Sequence, residues 1–348
     1  MSTRDWLRLA CLPGIGPLRA ARLVAHYGSP GAALSGDAAG WRALGLPQTL
    51  WHQRAQPDTT LLARTEDWLT TAGHALITPD HEHAAPMLAD LHAAPAWLYA
   101  VGDTELLTRP AIAIVGSRNP SSAGIEHARD FAGQLARSGF VIVSGLARGI
   151  DAAAHEGALA ADGMTIAVCG TGLDRVYPAV NKPLAERIAA NGLLVSEFNL
   201  GTLPSRGNFP RRNRIIAGLG SGTLVVEAAR ASGSLITARM ALEAGREVFA
   251  LPGSVHNPLA RGCHQLIREG AKLVETARDV YEDILPTLAF DEAATALAPA
   301  RIDDLVERTG WSTDAVSSSL LILELQGRVT TTPGGAYVRN SKPNPTQR

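Results

Sequence analysis

Short apolar runs of β-forming residues recur along the middle of the chain, each followed by a helix-length stretch in which apolar positions return every three or four residues. The runs fall at 75–78, 97–101, 112–115, 141–144, 165–168, 193–196, 223–226, 247–251 and 272–274. From 112 onward they are brief and apolar throughout, as strands buried on both faces must be, and the segments between them are long enough for parallel crossovers. The pattern predicts an α/β fold: an extended, doubly wound Rossmann-like sheet of about seven to nine strands over residues 73–285, larger than the usual nucleotide-binding unit. On either side the periodicity changes. Residues 1–72 show helical spacing broken at Pro13-Gly14, Gly28-Ser29-Pro30 and Pro47, which predicts a small bundle of short helices. After Ile284-Leu285-Pro286 comes an alanine-rich linker over 286–300. Residues 301–340 then read as helix (302–309), turn (310–312), helix (313–326) and a hairpin (328–330 and 336–338) around Pro333-Gly334-Gly335, a winged-helix pattern.

Composition narrows the class. A chain of 348 residues, 46% hydrophobic and 19% charged, is an ordinary globular protein of two or three domains. Its start, MSTRDWLRLACLPGIG, lacks the charged and apolar regions of a signal peptide, and no run reaches 18 apolar residues, so the expectation is a cytoplasmic protein without a membrane anchor. Cys11, Cys169 and Cys263 are odd in number and far apart, which argues against both a disulfide framework and a zinc site. No metal or cofactor is implied.

Charge points to the chemistry. The formal net charge is only −1, yet between 204 and 246 seven arginines (206, 211, 212, 214, 230, 239, 246) face two acids, Glu227 and Glu243. The centre of this excess is NFPRRNRIIAGLGSGTLVVEA (208–228). Pro210 suits the first turn of a helix, which sets Arg211, Arg212 and Arg214 near a positive helix end, an arrangement that is unfavourable without a bound anion. With acids scarce nearby, an anion site is the preferred reading over salt bridging.

Other strand ends repeat the theme. After the 112–115 run, Gly116-Ser117-Arg118 turns into a helix starting near Ser121 or Ser122, a helix start behind a glycine turn that favours an anion, with Arg118 adding a bidentate grip. The segment lacks G-x-G-x-x-G, which weakens a dinucleotide reading. After 141–144 come Ser144, Gly145, Arg148 and Gly149, followed by Asp151 and His155 one helical turn apart. A capping acid and a packed histidine are the preferred account of that pair over acid–base catalysis. After 165–168, Tyr177-Pro178 leads to Asn181 and Lys182: the tyrosine either stacks on a base or anchors the loop, and the lysine reaches a phosphate. Ser232-Gly233-Ser234 opens a further helix as a phosphate cradle of hydroxyls and backbone N–H groups. A single mononucleotide does not need so many phosphate-suited loops on one sheet edge, whereas a nucleic-acid strand with a charge at every nucleotide does. Within residues 12–28, LPGIGPLRAARLVAHYG resembles a helix-hairpin-helix turn, with Arg19 and Arg22 as phosphate contacts, or else a helix-packing turn of a sterile-alpha-motif-like module. The second helix of region 301–340 carries Asp314 and Glu324 and no lysine or arginine, so packing or protein interaction suits it better than duplex reading.

Taken together, GSR (116–118), SGLARGID (144–151), FPRRNRIIAGL (209–219), VVEA (225–228), SGSLITAR (232–239) and Pro252-Gly253 resemble, in order and spacing, the DNA processing protein A (DprA/Smf) family. The resemblance implies an extended Rossmann-like fold flanked by sterile-alpha-motif-like and winged-helix domains, and a homodimer formed through the Rossmann-like domain. It further implies a non-enzymatic cytoplasmic protein of natural transformation that binds and protects incoming single-stranded DNA and loads the RecA recombinase. The strand-binding residues so implied are Ser117, Arg118, Ser144, Arg148, Lys182, Arg211, Arg212, Asn213, Arg214, Ser232, Gly233 and Ser234. The dimer surface is expected near 251–274. The alternative is a Rossmann-type nucleotide hydrolase: GSGTLVVEA (220–228) is similar to the PGGxGTxxE motif of lysine-decarboxylase-like phosphoribohydrolases. Here Leu219-Gly220-Ser221 replaces the motif's opening, while Thr223 and Glu227 are kept, the glutamate being expected to orient an arginine.

Overall fold

In the computed structural model of the chain, the described residues are 2–284 other than 90 and 92, and, further on, 301–309, 313, 317, 320, 324, 329–332 and 335–339. Residues 1–275 form one compact unit and 276–348 another.

The first unit opens with six short helices: α1 (Thr3–Ala10), α2 (Pro17–Tyr27), α3 (Pro30–Ser35), α4 (Ala38–Ala43), α5 (Gln48–Gln53) and α6 (Thr59–Trp68). Their brevity follows from closely spaced start and stop signals. Pro17 and Pro30 occupy first-turn positions, Gly28 ends α2 in the left-handed conformation, and Ser29, Asp37 and Asp58 accept the N–H groups of Ala32, Gly40 and Leu61 as N-caps. The apolar faces of these helices do not close a core by themselves. Trp6, Leu9, Leu23 and Trp41 share one buried cluster with Leu76 and Tyr99 of the neighbouring sheet and with Trp97, which leads into it.

That sheet has nine strands: β1 (His74–Ile77), β2 (Leu98–Gly102), β3 (Ala111–Val115), β4 (Val141–Ser144), β5 (Thr165–Val168), β6 (Leu193–Ser196), β7 (Gly222–Val225), β8 (Glu247–Ala250) and β9 (Lys272–Leu273). They stand in the order β1-β2-β6-β5-β4-β3-β7-β8-β9. The expected doubly wound sheet is therefore present, parallel from β6 through β9, with β1 and β2 added antiparallel at one edge. Alternate strand residues feed two cores, as the pleat requires. Ala113, Val115, Val143, Ile166, Val168 and Val195 pack with Ile215 and Leu219 of α11 (Asn208–Leu219), Ala238 and Ala241 of α12 (Gly233–Glu243), and Leu266 of α13 (Arg261–Arg268). On the other side Ala167, Cys169 and Leu194 meet Leu184, Ala185 and Ile188 of α10 (Lys182–Asn191). The remaining helices of this unit are α7 (Pro86–Ala89), α8 (Ser122–Arg137) and α9 (Ile150–Ala160). Cys11, Cys169 and Cys263 are buried free thiols, and burial pushes Cys169 up to about 11.

In the second unit the helix Ile302–Thr309 and the antiparallel pair β10 (Val329–Thr331) and β11 (Tyr337–Arg339) fall within a residue of expectation. Leu305 and Leu320 form its core with Ile302, Val306 and Tyr337. Of the helix expected over 313–326, residues 313, 317, 320 and 324 are described and helical; the rest, with the turn at 310–312 and the linker 286–300, lies outside the described residues. Glu324 accepts the Thr331 N–H and hydroxyl, at 3.2 and 2.6 Å, and so fastens helix to hairpin.

Candidate nucleic-acid interface

The chain runs β3, β4, β5, β6 toward one edge of the sheet and then returns to set β7 on the other side of β3. Such a reversal leaves a crevice beyond the strands' carboxyl ends, because successive crossovers leave in opposite directions. A cleft of about 460 Å³ occupies this position, lined by Gly116, Ser117 and Arg118 after β3, Ala147 and Asp151 after β4, Arg212, Asn213 and Ile216 of α11, and 229–237 residues including Ser232, Gly233, Ser234 and Thr237. Gly149 makes the tight approach of the first two loops possible. Its φ is 80°, and a Cβ there would stand 2.4 Å from the Ser117 carbonyl oxygen.

The arginine cluster does not act as one patch. Arg211, Arg212 and Arg214 lie on a helix, so successive side chains diverge by about 100° and find different surroundings. Arg211 is exposed, its guanidinium 5.3 Å from the centre of the Phe198 ring. Arg212 is only 4% exposed: Nη1 donates to the carbonyls of Gly145 and Val168, and Nε donates to Asn213 Oδ1 at 3.2 Å. Burial lowers its pKa. Asp151, in the same cleft lining, is pushed up by burial while Arg212 pulls against that shift, and it accepts the Ala147 N–H at 3.4 Å. Arg214, at 12% exposure, is paired with Glu197 just beyond β6. The expectation of a free three-arginine anion site is thus corrected. The fold supplies buried carbonyls for Arg212 and Glu197 for Arg214, leaving Arg211 as the exposed member.

The other expected contacts divide in the same way. Arg118 is exposed, 5.2 Å from the centre of the Phe209 ring, and Tyr177 lies against that ring at 5.7 Å, making a surface ladder of guanidinium, phenyl and phenol. Ser117 holds its own turn by accepting the Asn119 N–H at 3.1 Å. Ser144 is fully buried and donates to the Ile114 carbonyl at 2.6 Å, so its inclusion in a surface site is corrected: it ties β4 to β3. Arg148 is exposed outside the cleft lining. Lys182, also outside it, sits 3.8 Å from Glu186 in an exposed i,i+4 pair. Ser232 caps α12, its hydroxyl 2.6 Å from that of Ser234, while Gly233 is exposed at the helix start.

The helix start behind Gly116 also differs from expectation. The anion at the N-terminus of α8 is the chain's own Glu227, which accepts the Ser121 N–H at 2.9 Å and the Ser121 hydroxyl at 2.7 Å. Glu227 orients this helix rather than an arginine. Arg19 and Arg22 are spent locally, on the carbonyls of Gly14 and Leu44. His155 packs as expected, fully buried with Nδ1 2.6 Å from Thr165 Oγ1. The residue missed was Phe209. Phe209 stands directly before Pro210 in FPRRNR, an aromatic beside a cation cluster, and that adjacency was the available signal.

Comparison with known proteins shows the family. A family model described as DNA recombination-mediator protein A matches residues 75–285, and one described as the DprA winged helix domain matches residues 279–335. Protein Smf of Escherichia coli (strain K12) is 43% identical over 296 residues, spanning 78% of this chain and 79% of its own. DNA processing protein DprA of Streptococcus pneumoniae (strain ATCC BAA-255 / R6) is 50% identical over 196 residues, 56% and 69% of the two chains. The X-ray structure of DNA processing protein A from Streptococcus pneumoniae superposes with a TM-score of 0.72 at 36% identity, covering 81% of this chain and 97% of that one. A Helicobacter pylori DNA processing protein A, whose structure is described as giving insight into a unique single-stranded DNA binding mode, superposes with a TM-score of 0.56 at 32% identity, covering 62% and 96%.

Proposed function

The chain belongs to the DNA recombination-mediator protein A family, the DprA/Smf proteins, and from that membership we propose that it binds single-stranded DNA at the carboxyl edge of its sheet. The observation that carries this reading lies at one sheet edge, where the exposed guanidinium of Arg118 stands over the half-buried Phe209 ring, exposed Tyr177 lies against that same ring, and exposed Arg211 is anchored beside the buried Phe198. Guanidiniums neutralise phosphates, and ring faces accept bases of any identity, so a strand is held without reading its sequence. The exposed start of α12 at Gly233 presents a positive helix end to a further phosphate.

In this reading the protein shields a strand entering the cytoplasm during natural transformation and loads RecA onto it, without catalysing a reaction. The hydrolase alternative asks Glu227 to work with an arginine on a ribose–base bond. Its oxygens instead serve Ser121 and the Asn257 amide, which favours the binding reading. Two copies pair through the sheet domain at 251–274, where β9 is an edge strand of two residues and Val255 and Leu273 are exposed at 71% and 49%.

Fluorescence anisotropy with an oligothymidylate and a duplex of equal length, across a salt titration, tests the central claim. Tighter binding to the single strand is expected, with log Kd linear in log salt at about 0.7 per phosphate neutralised. Equal affinity for both, or release of free base from a nucleoside monophosphate, refutes it. RecA assembly on the oligonucleotide, with and without the protein, tests the loading step.

A further inference from the structure

Glu227 stands just beyond β7 and is 8% exposed, yet it does not line the cleft. Its carboxylate serves three donors from two distant segments: Ser121 N and Ser121 Oγ, at 2.9 and 2.7 Å, and Asn257 Nδ2 at 3.3 Å. The Ser121 hydroxyl, having given its proton to Glu227, accepts the Gly124 N–H at 3.0 Å and so caps α8. Gly124 leaves room for the carboxylate, since a Cβ there would lie 2.6 Å from it. One side of this junction leads back through Pro120 and Asn119 to Ser117 and Arg118, the cleft's first loop. The other side is the loop 253–260, braced by Asn257 Oδ1 accepting the Leu259 N–H at 2.9 Å and by Leu259 O accepting the Ala228 N–H at 2.7 Å. Asn257 and Ser121 are likewise absent from the cleft lining.

We infer that Glu227 is a positioning residue for strand binding: it fastens the start of α8, and with it the Ser117-Arg118 loop, to the 253–260 loop, so that the grip on DNA is set from a segment that does not touch it. The inference rests on the single-stranded DNA reading above. A carboxylate suits the task because three N–H or O–H groups converge on it at the positive end of a helix. An amide of the same size does not. Glu227→Gln keeps one acceptor oxygen and turns its NH₂ toward either Ser121 or Asn257, donor against donor.

The test measures oligothymidylate affinity and melting temperature for the wild type, E227Q and N257A, each also combined with R118A. Loss of one charge-assisted bond that orients the loop predicts about tenfold weaker binding for E227Q and for N257A in the wild-type background. In the R118A background each costs less than about twofold, because the loop they orient has lost its guanidinium. N257A, on a surface loop, keeps the experiment decisive should E227Q fold poorly. If R118A weakens binding while E227Q and N257A bind as the wild type, or lose the same factor in both backgrounds, the positioning role is overturned and the strand-binding reading stands. If the wild type fails to bind the oligothymidylate, or R118A is without effect, that reading falls and the positioning role falls with it.

Discussion

At the scale of single residues, the arginines of the two motifs divide into surface and core. Arg118 and Arg211 keep their guanidiniums at the surface over aromatic rings, whereas Arg212 and Arg214 are spent on carbonyls and on Glu197. Arg118→Ala and Arg211→Ala are therefore expected to weaken oligothymidylate binding by about 1.5–3 kcal/mol each, and to lower the salt slope by about 0.7, without shifting the melting temperature. Arg212→Ala should act on stability instead, costing about 1–3 kcal/mol of folding free energy by leaving the Gly145 and Val168 carbonyls buried without their donor; urea unfolding checks it. His155 gives a pH signature. The Thr165 hydroxyl donates its only proton to the Ile142 carbonyl, so His155 Nδ1 must donate to Thr165, and Nε2 is left buried without a partner. Burial lowers its pKa to about 3, below the ordinary 6.5 of the unfolded chain. Its neutral form costs nothing above pH 6.5. As pH falls from 6.5 toward 3, the unfolded state gains a proton the folded state refuses, and stability declines by about 1.4 kcal/mol per pH unit. Melting curves across that window should show the decline, flattened in His155→Asn, whose amide nitrogen can replace Nδ1. The arginines themselves were legible in the sequence. Their destinations were not, because Glu197 precedes Arg214 by 17 residues and meets it only once β6 and α11 are packed.

At the scale of elements, the strands were the most legible part. Runs buried on both faces leave little choice of boundary, and those from β3 onward fall within about a residue of expectation. The antiparallel placement of β1 and β2 was hidden, since direction leaves no trace in so short an apolar run. Helix starts were found by their capping serines, Ser121 and Ser232, yet what each start binds is a tertiary matter. Glu227 filling the end of α8 shows why. A glycine turn before a helix announces that an anion is favoured there, and either a ligand or the chain can provide it.

At the scale of the whole molecule, the sheet's reversal between β3 and β7 creates the cleft, while β9 ends the strand order on the edge for which pairing with a second copy is proposed. Val255→Glu and Leu273→Glu should each halve the particle mass measured by light scattering while leaving the circular dichroism spectrum in place; a wild type already at the mass of one chain would refute the pairing. The N-terminal helices have a different relation to the sheet. Trp6 and Trp41 lie in the same buried cluster as Trp97 and Tyr99. Evolution or engineering therefore cannot swap the first 72 residues as a detachable cassette: pruning them would bare an aromatic flank of the sheet to water, and a shortened relative would need another covering, or smaller side chains at those two positions, to remain dispersed.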